Sequence, residues 1–167
     1  LIGMPGAGKS TIGRRLAATL GLPFTDSDTE IEAAAGMSVS QIFETLGEPA
    51  FREGERKVIA RLLQEERRVL STGGGAFMNE TTRTLIKKDG ISIWLKADLD
   101  ILLERTSRTD DRPLLKKGDP KTILQNLMAS REPVYALADV TVQTDDRPID
   151  STIENILAAL ENYLTRS

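Results

Sequence analysis

The chain has 167 residues, 40% of them hydrophobic and 28% charged, with a formal net charge of −3. That length favours one domain with a real buried core, and the mild acidity argues against nucleic acid or an anionic membrane surface as main partner. No Cys and no His occur, which excludes disulfides, thiol nucleophiles, Cys-ligated zinc and an imidazole base, and no apolar run approaches the roughly 20 residues that span a bilayer.

Five short β-like runs alternate with longer helical patterns. The chain opens at Leu1 rather than Met and shows no signal peptide, so residues before Leu1 are expected to be missing and the first strand, Leu1–Gly3, to be clipped. A helix over Ser10–Leu20 follows. The second strand, Pro23–Asp26, leads into helices over Asp28–Ala35 and Ser38–Leu46. Glu48–Glu66 carries Phe51, Val58, Ile59, Leu62 and Leu63 at roughly helical spacing. Strands Arg68–Ser71 and Ser92–Leu95 come next, then a helix over Asp98–Arg105 that opens on a good N-cap residue. Thr106–Asp119 and Thr144–Pro148 read as irregular, on either side of a strand at Val140–Gln143. Ser151-Thr-Ile-Glu154 has a capping-box pattern and is expected to open a last helix, to about Leu164. This alternation predicts an α/β fold: a parallel sheet covered on both faces, with ligands outside the carboxyl ends of its strands.

The clearest motif is Gly3-Met-Pro-Gly6-Ala7-Gly8-Lys9-Ser10, which fits GxxxxGK[ST] without a mismatch. Its glycines let backbone N–H groups surround phosphate oxygens, and the following helix N-terminus adds partial positive charge. Lys9 reaches β- and γ-phosphates, and the Ser10 hydroxyl suits Mg²⁺. ATP or another nucleoside triphosphate is therefore expected, with Mg²⁺ as the metal. The DxxG and NKxD motifs of switch GTPases are absent, and a motor is usually larger. A small-molecule kinase leads.

Candidates for the acceptor side lie further along. Asp26 and Asp28 sit at the end of the second strand, where the next helix begins. In a chain without His, a carboxylate is the natural group to accept a hydroxyl proton; alternatively, Asp28 simply caps the next helix. Arg52 and Glu55 share a helix face. They make either a surface ion pair or an arginine fork held ready for an anion. Arg131 sits near a helix end, where a cation also complements the helix dipole. Arg112 lies in the charged irregular stretch, as a solvated charge or as part of a lid that excludes water. Gly73-Gly74-Gly75, in STGGGAF, implies that something comes very close to the backbone.

Taken together, the GxxxxGKS loop, Asp26-Ser-Asp28, Phe51-Arg52-x-x-Glu55, Gly73–Gly75, Arg112-Pro-Leu-Leu, and Arg131 with Tyr135 beyond it resemble the shikimate kinase family over essentially the whole chain. The resemblance implies a three-layer α/β/α fold with a five-stranded parallel sheet in the order 2-3-1-4-5. It also implies an acceptor-binding segment at about 27–55 and a mobile lid at about 106–119. The activity it implies is transfer of the ATP γ-phosphate to the 3-hydroxyl of shikimate, on the route to chorismate and aromatic amino acids, by a cytoplasmic monomer.

Roles follow residue by residue from the resemblance. Gly6, Ala7, Gly8, Lys9, Ser10 and Thr11 form the phosphate site. Ser10 ligates Mg²⁺, with Asp26 in its outer shell through water. Asp28 binds shikimate hydroxyls and serves as base. Arg52 and Arg131 clamp the shikimate carboxylate, and Glu55 orients Arg52. Arg112 is the lid arginine on the phosphates, and Lys9, Asp28 and Arg112 are the catalytic set. Arg105 stacks on adenine, and Arg147 contacts the base from the other side. The shikimate ring lies against Gly73–Gly75, with the Gly74 N–H as a donor to it. Rival expectations are a gluconate-type kinase of the same fold, a nucleotide-driven switch, or a nucleotide-binding module without catalysis.

Overall fold

The structure, a computed structural model, describes residues 1–108 and 118–167. Four strands and eight α-helices are found among these residues. In chain order they are α1 (Lys9–Leu20), β1 (Phe24–Asp26), α2 (Ser27–Ala35), α3 (Val39–Thr45), α4 (Gly47–Gln64), β2 (Val69–Ser71), α5 (Glu80–Asp89), β3 (Ile93–Lys96), α6 (Leu99–Ser107), α7 (Pro120–Tyr135), β4 (Val140–Gln143) and α8 (Ile149–Arg166). A single 3-10 turn, Ala76–Met78, precedes α5.

Both strand pairs are parallel, β1 with β2 from Phe24↔Val69 to Asp26↔Ser71, and β3 with β4 from Ile93↔Val140 to Lys96↔Gln143. Leu1–Gly3 is not a full strand. It makes one parallel bridge, Ile2↔Trp94. Its backbone nevertheless reaches both pairs. The Ile2 N–H donates to Ile93 O and the Leu95 N–H to Ile2 O, both at 2.9 Å. On the other side, the Leu1 nitrogen donates to Leu70 O at 2.6 Å and the Thr72 N–H to Leu1 O at 3.1 Å. The segment thus makes a single bridge rather than a ladder. These bonds still leave the phosphate loop, which follows directly, between the carboxyl ends of β2 and β3.

The helices bury their apolar faces in two clusters. The larger gathers Ile2, Leu16, Ile59, Trp94, Leu95, Leu102, Leu124 and Ile156 around the strands. The smaller joins α2, α3 and α4 through Ile31, Ile42, Phe51, Val58 and Leu62. Burying each such side chain contributes about 1.5–3 kcal/mol. α4 belongs to both clusters, so the helix that carries Arg52 and Glu55 is held from two sides.

Several boundaries differ from the sequence expectations. α8 begins at Ile149, after Pro148, with no side-chain cap. The Ser151–Glu154 pattern therefore lies inside the helix rather than at its start; Pro148, at φ −52° and ψ 144°, is the non-helical residue from which the helix departs. α6 runs through Thr106 and Ser107, the first two residues of the stretch expected to be irregular. α5 and α7 were not delimited by periodicity. α5 has few apolar residues, and tertiary contact with α4 supports it. α7 is opened by Asp119, whose carboxylate accepts from the Thr122 N–H, and continues past Pro133 to Tyr135. A proline in the last turn costs one hydrogen bond, which packing of Leu124 and Tyr135 outweighs. The capping box at Ser38 and Gln41 does form.

Candidate active site

The phosphate loop turns on two glycines in the left-handed region, Gly6 at φ 86° and Gly8 at φ 90°. A Cβ on Gly6 would also sit 2.9 Å from Thr106 Cγ2 and 3.2 Å from Leu102 O, so both backbone and space demand glycine. Ala7 is fully buried. Gly8 hands the chain into α1, whose first N–H groups lack helical partners and face the cleft. Lys9 Nζ donates to Gly3 O at 2.9 Å and Met4 O at 3.0 Å.

A cleft of about 480 Å³ opens here. Gly6, Gly8, Lys9, Ser10 and Thr11 line one side; Arg105, Thr144, Asp145 and Arg147 line another. Arg105 donates to Gly6 O and Ala7 O at 3.3 Å each and to Asp145 O at 3.0 Å. It thus ties the phosphate loop to the loop after β4. Arg147 is exposed and pairs with Asp145 at 2.8 Å.

The floor of the cleft is acidic. Ser10 Oγ donates to Asp26 Oδ2 at 2.8 Å, and the Asp28 N–H donates to Asp26 Oδ1 at 2.9 Å. Asp26, not Asp28, therefore caps α2. Asp28 Oδ1 is buried without a hydrogen-bond partner among the described residues. Burial first, and the neighbouring Asp26 charge second, push its carboxyl above the ordinary value of 3.8, against the pull of Lys9.

Beyond Asp28 lies a cluster of charges carried by helices. Arg52 Nη1 donates to Glu55 Oε1 at 2.9 Å and Nη2 to Glu48 Oε1 at 3.4 Å. Glu55 is buried, and burial raises its carboxyl despite the opposing charge of Arg52. Its Oε2 has no hydrogen-bond partner among the described residues. Arg131, on α7, is 6% exposed, and none of the ion pairs among the described residues includes it. Glu55 and the Tyr135 hydroxyl both act on it electrostatically, yet no carboxylate among the described residues reaches ion-pair distance. Such a group is suited to an anion that arrives from solution.

The three glycines face these charges. A Cβ on Gly73 would lie 3.0 Å from Glu55 Oε2 and 3.2 Å from Asp28 Oδ1; on Gly74, 2.7 Å from Arg131 Nη1; on Gly75, 2.6 Å from Arg52 Cζ. The close approach implied by STGGGAF is therefore made, in the first instance, by the protein's own carboxylates and guanidinium groups.

The structure thus brings Lys9, Ser10, Asp26 and Asp28 together at the cleft, with Arg52, Glu55 and Arg131 across Gly73–Gly75. Arg112 lies outside the described residues, as does most of the expected lid. Residues that the sequence did not single out are Ser71, Thr72, Thr144 and Thr152, which also line the cleft. Ser71 and Thr72 directly precede the glycines and Thr144 opens the irregular loop, so their neighbours were the available signal.

Comparison with known proteins agrees over nearly the whole chain. The family model for shikimate kinase matches residues 5–161. A shikimate kinase of Caulobacter vibrioides is 57% identical over 160 residues, covering 96% of this chain and 80% of its own. Another, of Rhodopseudomonas palustris, is 55% identical over 164 residues, 98% of this chain and 81% of its own. Among solved structures, the Acinetobacter baumannii shikimate kinase in complex with shikimate superposes with a TM-score of 0.92 at 38% identity, covering 96% of this chain and 90% of its own. A gluconokinase from Sinorhizobium meliloti, 20% identical with a TM-score of 0.65 over 99% of this chain and 94% of its own, shares the fold alone.

Proposed function

The chain belongs to the shikimate kinase family and phosphorylates shikimate with ATP as donor, and from that premise we propose how its residues divide the work. The carboxylate of shikimate occupies the space between Arg52 and Arg131. The observation that carries this reading is Arg131: a buried guanidinium with no ion-pair partner among the described residues, set against Gly74 beside the phosphate loop. Glu55 holds one arm of Arg52 at 2.9 Å, and the ligand carboxylate takes over the other arm from its longer, exposed contact with Glu48 at 3.4 Å. The ring lies against Gly73–Gly75, with the Gly74 N–H available to it.

Transfer is in line. The shikimate 3-hydroxyl oxygen forms a bond to the γ-phosphorus as the bond from that phosphorus to the β–γ bridging oxygen breaks, and ADP leaves. The hydroxyl proton passes to Asp28, whose Oδ1 has no hydrogen-bond partner among the described residues. A carboxyl raised by burial is the better base, because its pKa lies nearer the operating pH. Lys9 and the loop N–H groups offset charge on the phosphates, and Arg112 does so from the lid. Positioning and charge neutralisation carry most of the rate, since phosphoryl transfer asks for little covalent work. Arg105 and Arg147 hold the adenine end of ATP. The rest of the expected architecture completes the reading: one domain in three layers, with Leu1–Gly3 as the middle strand of five, acting as a cytoplasmic monomer.

The residues present fit Mg²⁺. Among the described residues no group of three or more acidic side chains gathers into a metal cage. Mg²⁺ instead prefers one or two protein oxygens, waters and substrate phosphates, and the Ser10 hydroxyl and Asp26 carboxylate, 2.8 Å apart, offer that donor set. When bound, it supplies positive charge at the β- and γ-phosphate oxygens.

The test is ADP release with Mg²⁺-ATP and shikimate, with gluconate as control acceptor. Release that requires shikimate, with gluconate inert, is expected. Release driven by gluconate would favour the sugar-acid kinase reading, and release driven by neither, despite ATP binding, would leave only a nucleotide-binding module.

A further inference from the structure

Tyr135 is fully buried at the C-terminal end of α7, one turn beyond Arg131. Its hydroxyl donates to the Gly74 carbonyl and lies 3.4 Å from the Gly3 carbonyl. Gly3 O in turn accepts from Lys9 Nζ at 2.9 Å. One side chain thus stands where the glycine run, the start of the phosphate loop and the helix of Arg131 meet. The ring itself packs in the core, with the Trp94 ring centroid 5.8 Å away. The hydroxyl has to be explained by what it bonds.

Glycine is the residue least able to hold its own peptide plane. Gly74 has no side chain to brace it, because Arg131 occupies that space. A bond to its carbonyl sets the plane of the Gly74–Gly75 peptide, and with it the opposite-facing Gly75 N–H. We propose that Tyr135 is a positioning residue for the acceptor: its hydroxyl, bonded to Gly74 O, holds the glycine run and Arg131 in the arrangement that receives the shikimate carboxylate. This rests on the reading that Arg131 grips that carboxylate.

The experiment compares Tyr135→Phe, Arg131→Ala and the double variant. Steady-state KM is measured for each substrate, and shikimate binding is followed through Trp94, the only tryptophan. Tyr135→Phe keeps the ring and removes the hydroxyl's contacts with Gly74 O, Gly3 O and Arg131. It should raise the shikimate KM about three- to tenfold, with kcat and the ATP KM changed less than about twofold. In the Arg131→Ala background it should add little, because coupled residues are not additive. Equal losses for shikimate and ATP, no loss for either, or a full additional loss in the double variant would overturn the proposal. If Arg131→Ala itself leaves shikimate affinity intact, the carboxylate reading fails instead, so the two failures are told apart. Should Tyr135→Phe not fold, 2,3-difluorotyrosine at position 135 keeps ring and hydroxyl but ionises at lower pH. Its shikimate affinity should then fall with rising pH beyond whatever change the unmodified protein shows from Asp28 and Glu55, as the donor proton is lost; parallel profiles would count against the proposal.

Discussion

The two halves of the cleft are built from different materials. The phosphate half is made of backbone: left-handed glycines, orphan N–H groups at the start of α1, and one lysine folded back on its own loop. The acceptor half is made of charged side chains brought from α2, α4 and α7 and packed against bare glycines. A backbone site is local, so one short motif specifies it and any polyphosphate can use it. A side-chain site needs the whole fold to assemble. It is correspondingly selective, and burial raises its two carboxyls, Asp28 and Glu55, above their ordinary values.

The largest effect that separates the halves is expected at Asp28. Asp28→Asn should lower turnover about 10²–10⁴-fold while leaving nucleotide affinity near normal. It should also change stability in a defined direction. Burial and Asp26 raise the folded carboxyl above its ordinary value, so its contribution to stability is fully present below the unfolded pKa and is lost as pH rises through the folded one. Asn escapes that loss. Thermal melts should therefore show the variant more stable than the parent at pH 8, with the gain shrinking towards pH 4. A gain that is constant with pH would mean that Asp28 is not strained.

A smaller effect is expected at the glycines. In Gly75→Ala the new Cβ meets the end of Arg52 rather than backbone, and a flexible side chain can move aside. The melting temperature should hardly change, while the shikimate KM rises about 10–100-fold through the misplaced guanidinium. Gly73→Ala, whose Cβ would stand 3.0 Å from Glu55 Oε2, should do less. Turnover and melting measured together separate this outcome from plain misfolding.

How much was legible follows the same division. Gly3–Ser10 could be read directly, because the loop's chemistry is in consecutive residues. The Arg52–Glu55 pair could be read from helical spacing, and it forms at 2.9 Å. What the glycines face could not, since Arg131 is 57 residues from Gly74 in the chain and only packing of α7 brings it near. Spacing left Asp28 as a possible cap of the next helix, a role that the structure gives to Asp26. Hydrogen bonding separates them, one capping α2 and one left with a bare oxygen. α5 and α7 escaped definition because helix formation there relies on caps at Asn79 and Asp119 and on tertiary contact more than on a continuous apolar stripe. Leu1–Gly3 shows the converse: its apolar character and its hydrogen bonds to both neighbours were expected, but its short length yields one bridge.

The central claim is that two guanidinium groups across a glycine run form a seat for the acceptor's carboxylate, separate from the nucleotide site. The most direct measurement is the affinity of Arg52→Ala for shikimate and for Mg²⁺-ADP, side by side with the parent. Loss of a charged, bidentate contact should weaken shikimate about 10–100-fold, with nucleotide affinity changed less than about twofold. Equal losses for both ligands would contradict the division of the cleft into two independent halves.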